Sequence, residues 1–576
     1  MDVRQFFCNP LNATQRQYEA LRAFYCEGMS SKDAAVKFKL SPAYFVKVRM
    51  MYAKQIKAGK NPFFEEKKPG PKNRFTKQEV IQLIVEFRKK NYSIVDIKTA
   101  LAAQGYAISL DTIDKILKEE GFAPLPKRKR LERLGIQAPK KIKPPETEAL
   151  VIQDEELSTE QGVGPLVFLP LIAKLGIIDA IKKAGYPETS VLNSVSSIMS
   201  ILALKLLGKQ RYSHDASWRL DRAPGLFAGL NVLPGNTTLA TYSYRTTRVS
   251  NRKLLAKLCK IFTSKDTEQG EFNLDFKAIP HWGDISILEK NWNGSRSRAM
   301  KSVLSLIVQQ PENGYISYTD AEIKHSNQND AILEFVDFWK KGNGKAPKML
   351  IFDSKLTTYQ NLNKLDEDNI KFLTLRRRGK NIINLSNVND DKWQRIQVDC
   401  AKNKKRMVKV YDHHCKLRNY DGEVREIILT DHGRSKPAFL ITNDFDLNVR
   451  TVVRKYAKRW LVEQEIAEQV NFFHLNQLSS SVVIKVDLDL TLSLLAHNLY
   501  RHLASYLKGF ESCTAATLYR NFLENGATIK IKNNKIMVFL KKKIHLPLLL
   551  DIPWLKTETP LPWLNSSIIF SSASFS

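Results

Sequence analysis

The pattern of polar and apolar positions changes along this 576-residue chain. Up to about residue 264, apolar residues recur every three or four positions, the spacing of amphipathic helices. A first helix runs through Tyr18, Leu21, Phe24 and Tyr25, opened by a capping box of Thr14 and Gln17 and closed by Gly28. Ser30 and Ser31 cap a second helix, with Ala34, Ala35 and Phe38, and Ser41-Pro42 starts a third that reaches about Lys54. After the Pro/Gly/Lys stretch 67–73 the pattern repeats. Thr76 and Glu79 open a helix through Val80, Ile81, Ile84 and Phe87; Ser93 caps the next, and Ser109 caps a last one through Ile113, Ile116 and Leu117. Two short helices and a turn before a third predict a helix-turn-helix in each repeat. From about residue 150 to 264 the pattern is helical again.

At Phe272 the period becomes two. Phe272, Leu274 and Phe276 alternate with Asn273, Asp275 and Lys277, which predicts a half-buried strand with Asp275 on its polar face. Strands follow at 302–309 and 315–323, joined by the turn Pro311-Glu-Asn-Gly314. A helix at 329–340 leads to an apolar strand that ends in Asp353, and a helix (358–365) and a strand (370–375) come next. This βββαβαβ order is that of the ribonuclease H-like fold. Between Arg378 and Asp444 lies a basic, strand-rich segment. A helix at 488–507 and a hairpin at 527–540, turning at Asn533-Asn534, end the chain.

The formal net charge of +31 adds a partner to this outline. A chain so basic is built to meet a polyanion, and nucleic acid is the first expectation. A membrane surface is the rival, but no apolar run approaches ~20 residues and no basic amphipathic helix stands out. Residues 1–150 hold 30 Lys and Arg against 16 Asp and Glu. The third helix of the first repeat carries Tyr44, Lys47, Arg49 and Lys54, so Lys47 and Arg49 are expected to contact DNA; a small bundle that binds nothing is the alternative. The last helix of the second repeat mixes Lys115 and Lys118 with Asp111, Asp114, Glu119 and Glu120, which suits positioning more than base reading. No signal peptide opens the sequence, and six cysteines from Cys8 to Cys513 form no disulfide framework, so a cytoplasmic, nucleoid-associated bacterial protein is expected.

Tyr456, Arg459 and Glu463 stand three and four residues apart in a run that reads as helix, which stacks them on one face. A carboxylate, a guanidinium and a phenol on one stripe suit a metal ion held beside a phosphate; an exposed helix face with an Arg–Glu pair is the ordinary alternative. Asp353 ends an apolar strand, and the carboxyl ends of central strands are where α/β sheets build their sites. Two strand-end aspartates followed by a helical glutamate match the chemistry of phosphodiester transfer. Two Mg²⁺ ions about 4 Å apart, bridged by carboxylates, activate an oxygen nucleophile and relieve charge on the leaving oxygen. Cys400, His413, His414 and Cys415 invite a zinc reading, but adjacent residues on a strand point to opposite faces. No nucleotide-binding loop of the Walker type is present, and transesterification requires no nucleotide cofactor.

On these residues the chain resembles insertion-sequence transposases of the DDE type, in the branch with a β-rich insertion before the last acid. The resemblance covers about residues 270–480 and the helical front end in outline; the second repeat is also similar to helix-turn-helix domains at the front of bacterial transposases. It implies Asp275, Asp353 and Glu463 as catalytic metal ligands for Mg²⁺ or Mn²⁺, with Tyr456, Arg459 and Glu463 matching the branch's Y-x2-R-x3-E signature. Asp284, in His281-Trp-Gly-Asp284, stands close by as another first acid, with loop capping as its ordinary role. The family places a lysine seven residues after the glutamate, and here that position is Val470. The insertion is expected to cover the site, with Trp393 either stacking on a base or packing locally. Arg376 and Arg378 follow a strand towards the site and are expected to reach phosphates.

The expected architecture is thus α+β and multidomain. Helix-turn-helix domains at 1–66 and 67–126 and a basic linker at 127–147 precede a helical region at 148–266, for end binding or dimer contacts. A ribonuclease H-like domain at 267–378 and 445–510 is interrupted by the insertion at 379–444, and a C-terminal region spans 511–576. The implied activity is cut-and-paste transposition: double-stranded transposon ends bound at inverted repeats, cleaved, and joined to target DNA by a homodimer. A nuclease without strand transfer, or a domesticated DNA-binding protein, is the alternative.

Overall fold

Side-chain caps and buried apolar faces define the helices of the first of two compact units, Met1–Lys141 and Ile142–Ser576. The computed structural model describes residues 10, 12–59, 63, 78–125, 145–209, 217–263, 270–280, 288–293, 297–376, 390–399, 405–433, 436–475 and 483–573, with the backbone alone at 217, 390, 399, 460–465 and 483–485.

In the first unit, α1 (Ala13–Tyr25), α2 (Ser31–Lys37) and α3 (Pro42–Lys57) enclose a small core of Ala20, Leu21, Ala34, Ala35, Phe45 and Val48. Helix α1 starts earlier than the Thr14–Gln17 box predicts. Asn12 accepts the Gln15 N–H at 2.7 Å, and Asn, a stronger N-cap than Thr, leaves Thr14 inside the first turn. Ser30 and Ser41 cap α2 and α3 as their sequence predicts. Helices α4 (Gln78–Lys89), α5 (Ile94–Ala103) and α6 (Leu110–Glu119) form a second core around Ile84, Ile97, Leu101 and Ile113. Ser93 and Asp96 make a full capping box at α5, while Thr76 lies outside the described residues.

The second unit opens with β1 (Glu155–Thr159), which periodicity assigned to helix. The helices α7 (Leu169–Lys174), α8 (Ile177–Ala184), α9 (Ser194–Leu206), α10 (Arg222–Phe227), α11 (Asn236–Tyr242) and α12 (Arg248–Phe262) follow. A large mixed sheet then begins with β2 (Glu271–Pro280), β3 (Lys290–Asn293), β4 (Arg298–Gln309) and β5 (Ile316–Ile323). After α13 (Ala331–Asn343) come β6 (Met349–Phe352), α14 (Tyr359–Glu367) and β7 (Lys371–Leu375). Strands β8 (Gln394–Asp399), β9 (Lys405–Cys415), β10 (Val424–Thr430) and β11 (Ala438–Thr442) lead to α15 (Val449–Lys458), α16 (Trp460–Asn471) and α17 (Val483–Ala504).

Strand β2 lies between β4, to which it is antiparallel, and β6, to which it is parallel; β4 pairs on with β5 and β6 with β7. The segment expected as an interruption extends this same sheet. Strand β11 covers the edge of β7 in antiparallel register, and β10, β9 and β8 continue outward. Its apolar residues Ile427, Val408 and Leu440 share a core with Met349, Ile351 and Leu373 of β6 and β7.

The ends of the second unit are also joined to its centre. Strands β12 (Ala527–Lys532) and β13 (Lys535–Leu540) form a hairpin through Asn533 and Asn534, both at positive φ as a two-residue turn requires. Strand β1 pairs with β12, and β15 (Ser566–Ser572) with β13, in a smaller sheet whose last strand is β14 (Thr559–Leu561). Lys205 of α9, a buried lysine, donates to the Phe473 carbonyl at 3.0 Å and pairs with Asp489 of α17 at 2.7 Å. The stretches 148–266, 267–378, 379–444, 445–510 and 511–576 therefore share one compact unit.

Candidate functional site

Strand register brings the two aspartates together. Leu274 of β2 is paired with Phe352 of the parallel strand β6, and Asp275 and Asp353 each come one residue later. Parallel neighbours in register present the same face, so the two carboxylates stand side by side at the carboxyl end of the pair. Apolar residues hold both strands in place. Phe272 lies edge-on to Phe335 and Trp339 of α13, with centroids 5.1 and 4.6 Å apart, so α13 covers one face of β2. Period-two alternation turns Asn273, Asp275 and Lys277 to the other face. There Asn273 donates to the Lys458 carbonyl at the end of α15, at 3.3 Å, and α16 packs across β2 and β4.

The stripe expected as one helix consists of two, meeting at Arg459. Its backbone stays right-handed helical (φ −53°, ψ −30°), and its N–H turns back to the Tyr456 carbonyl at 3.1 Å in a tightened turn. Arg459 Nη1 lies 3.3 Å from Asp275 Oδ2, and its guanidinium carbon lies 5.5 Å from the centre of the Tyr456 ring. Asp275 Oδ1 accepts the Phe276 N–H at 2.8 Å, and Asp353 Oδ1 accepts the Ser354 hydroxyl at 3.1 Å. The Tyr456 hydroxyl oxygen is buried and interacts with the Arg459 guanidinium. Burial raises its pKa to about 12; Asp353 and Asp275 push the same way and nearby Arg459 opposes them. Asp275, Asp353, Tyr456 and Arg459 thus form one cluster. Glu463 lies in α16, four residues past Arg459, and its side chain is outside the described residues. Asp284 is outside them as well.

Hard oxygen donors on two adjacent strands suit Mg²⁺ or Mn²⁺ better than a softer ion. Among the described side chains no group of three His, Cys, Asp or Glu is placed to hold a metal; Glu463 is not among them. Strand alternation, applied to β2 as a whole, also points to Lys277, which the sequence reading left aside. It lies two residues from Asp275, and burial lowers its pKa against the pull of that carboxylate.

The remaining candidates separate. Arg376, expected to reach a phosphate, is held by an ion pair within the sheet extension. Its guanidinium donates to the fully buried Glu426 of β10 at 2.8 Å, beside Cys415, so an ion pair inside the sheet extension takes its charge. His413 Nε2 stands 2.9 Å from the other Glu426 oxygen, at ion-pair distance though poorly aligned for a hydrogen bond. Arg378 lies outside the described residues. Lys47 is exposed on α3, whereas the Arg49 guanidinium sits 3.6 Å over the Phe24 ring and ties α3 to α1. Trp393 packs against Tyr411 of β9, with centroids 5.8 Å apart. His414 and Cys415 follow His413 on β9; Cys400 is outside the described residues.

No single described helix is long and apolar enough to cross a membrane. No protein-family model matches this chain, and no curated protein does. Among solved structures it is similar to a piggyBac transposase synaptic complex with hairpin DNA, determined by cryo-EM. The likeness covers 64% of this chain and 81% of that one, at 12% identity and a TM-score of 0.34.

Proposed function

We propose that the chain is a DNA transposase of the DDE type, which cleaves transposon ends and joins them to target DNA. The observation that carries this reading is the register Leu274↔Phe352, which sets Asp275 beside Asp353 on the face where Tyr456 and Arg459 cluster. The strand arrangement supports a ribonuclease H-like core: an antiparallel β2, β4 and β5, with β6 and β7 parallel to β2 on the other side.

Asp275, Asp353 and Glu463 would hold two divalent cations, Mg²⁺ or Mn²⁺. Such ions generate the oxygen nucleophile and neutralise charge on the leaving oxygen. The chain's own residues do the rest. Arg459 presents a planar fork of N–H donors beside Asp275, matched to two oxygens of one phosphate. The buried Tyr456 hydroxyl, raised in pKa, stays protonated at neutral pH and serves as a donor. Lys277, half-buried on the same strand face, places a further cation near the acids. In the free protein Arg459 offsets part of the Asp275 charge, which keeps the acidic cluster formed without DNA. Lys47 on α3 is proposed to contact duplex DNA, with Arg49 holding that helix in place. Both transposon ends must be held during joining, so a dimer on DNA is proposed.

The test is cleavage and strand transfer on duplexes carrying the ends that flank the reading frame. Wild type should cut and join in Mg²⁺, and Asp275→Asn, Asp353→Asn and Glu463→Gln should each lose at least about 10³-fold, as expected when a metal-held charge is removed. Undiminished cleavage in any one variant removes that residue from the site. Cleavage without joining in the wild type would make the chain a nuclease.

A further inference from the structure

The outer side of α12 and the adjoining edge of α13 form an open groove. Val249, Ala256 and Phe338 make an apolar floor, and Val249 is 62% exposed. The rim is basic. Lys253, Lys257 and Lys260 follow one another at i, i+4 and i+7 on α12, and Lys341 faces them from α13. No acidic side chain lines this groove among the described residues.

Arg248 and Arg252, at one end, are committed elsewhere. The buried Asp320 of β5 accepts Arg248 Nη2 at 3.1 Å and Arg252 Nη2 at 2.6 Å, and Arg248 Nη1 also reaches Glu322 at 2.7 Å. These pairs anchor α12 to β5 and fix the direction of the lysine row. Among the described residues, Lys253, Lys257, Lys260 and Lys341 form no ion pair, so their charge is available to a ligand.

From Lys253 to Lys260 the helix rises about 10 Å, over which one strand of B-DNA presents about three phosphates. We propose that this groove binds the sugar–phosphate backbone of a DNA duplex at a surface separate from the acidic cluster. Helix α13 covers the Phe272 face of β2 while Asp275 lies on the other, so this DNA is a segment other than the one being cut. An acidic amphipathic helix fits less well. Such helices dock through apolar anchors along i, i+3, i+4 and i+7, and the floor offers three apolar side chains under a continuous row of cations.

The choice of polyanion follows the proposed function, but the groove is tested without cleavage. Binding of the full chain to a short duplex of unrelated sequence is followed by fluorescence anisotropy, in EDTA, between about 50 and 200 mM salt. K253Q/K257Q/K260Q should flatten the slope of log affinity against log salt by about 2 to 3, since each phosphate contact contributes about 0.9. The control K416Q/K508Q/K532Q removes three exposed lysines elsewhere and should change it by less than about 1. An unchanged slope in the first variant, or an equal change in the control, overturns the proposal. A photocrosslinking residue in place of Ala256 should label DNA; labelling of protein alone overturns it too. The slope is read in EDTA without cleavage, so failure of the acidic site and failure of the groove give different results.

Discussion

Tyr456 shows how far single residues were legible. Its place near Arg459 followed from a three-residue spacing; its burial beside Asp275 and Asp353 did not, because that depends on β2 and β6, far away in sequence. The hydroxyl meets the Arg459 guanidinium, so Tyr456→Phe should change the stability of the free protein by no more than about 1 kcal/mol. The same change should weaken cleavage of DNA ends about tenfold, a loss of roughly 1.4 kcal/mol. A lower melting temperature with unchanged cleavage would show that the hydroxyl serves folding alone. The ion pair of Arg376 was hidden for the same reason. Its partner Glu426 lies fifty residues on, in β10, which stands two strands from β7 in the sheet and could not be placed there from sequence. His413 shares that carboxylate, and its close contact with Glu426 raises its pKa while His413 and Arg376 hold Glu426 low. A raised histidine contributes fully below its unfolded value of about 6.5 and loses its effect as pH rises through the folded value. A depressed glutamate contributes above about 4.3 and loses its effect as pH falls through the folded value. His413→Gln should therefore destabilise most between about pH 4.5 and 6.5 and much less at pH 8, as read by urea unfolding. An equal loss at both pH values would mean that packing, not charge, is what His413 supplies.

At the scale of elements, local chemistry was the better guide. Ser30, Ser41, Ser93 and Ser109 each cap the helix they announce, because an N-cap needs only residues a turn away. The β2 alternation and the Asn533-Asn534 turn were legible for the same reason. Strand β1 was missed because its partner, β12, lies some 370 residues later, and its own sequence shows little β pattern. A strand-rich segment was visible before Asp444, but neither β8 nor the covering of the β7 edge by β11, since pairing is a property of two segments. That arrangement has a consequence. Ile427 on β10 is fully buried with residues of β6 and β7, so Ile427→Ala should cost roughly 2–5 kcal/mol. The loss should appear in the unfolding of the whole second unit, followed by calorimetry with aromatic fluorescence. A separate early transition confined to 394–442 would mean that these strands fold as a lid of their own.

For the whole molecule, the +31 charge pointed to a polyanion before any site was known, and it did not say which surface would meet it. The structure gives that charge two addresses in the second unit: the Arg459–Lys277 surroundings of the acids and the lysine row of α12. The two-unit division puts α1 to α6 in one unit and joins the helices of 148–266 to α17 through Lys205 and Tyr500 and to β5 through Asp320 in the other. Those contacts link residues up to nearly three hundred positions apart, beyond any local pattern. The central claim is that Asp275, Asp353 and Glu463 line one cation site. Fe²⁺ with ascorbate and peroxide, which cuts a polypeptide close to where the ion binds, tests it most directly on the full chain without DNA. The account predicts cuts near residues 275, 353 and 463 together, suppressed by excess Mg²⁺ and lost in Asp353→Asn. Cuts at only one of these positions, or a pattern unchanged by Asp353→Asn, would contradict it.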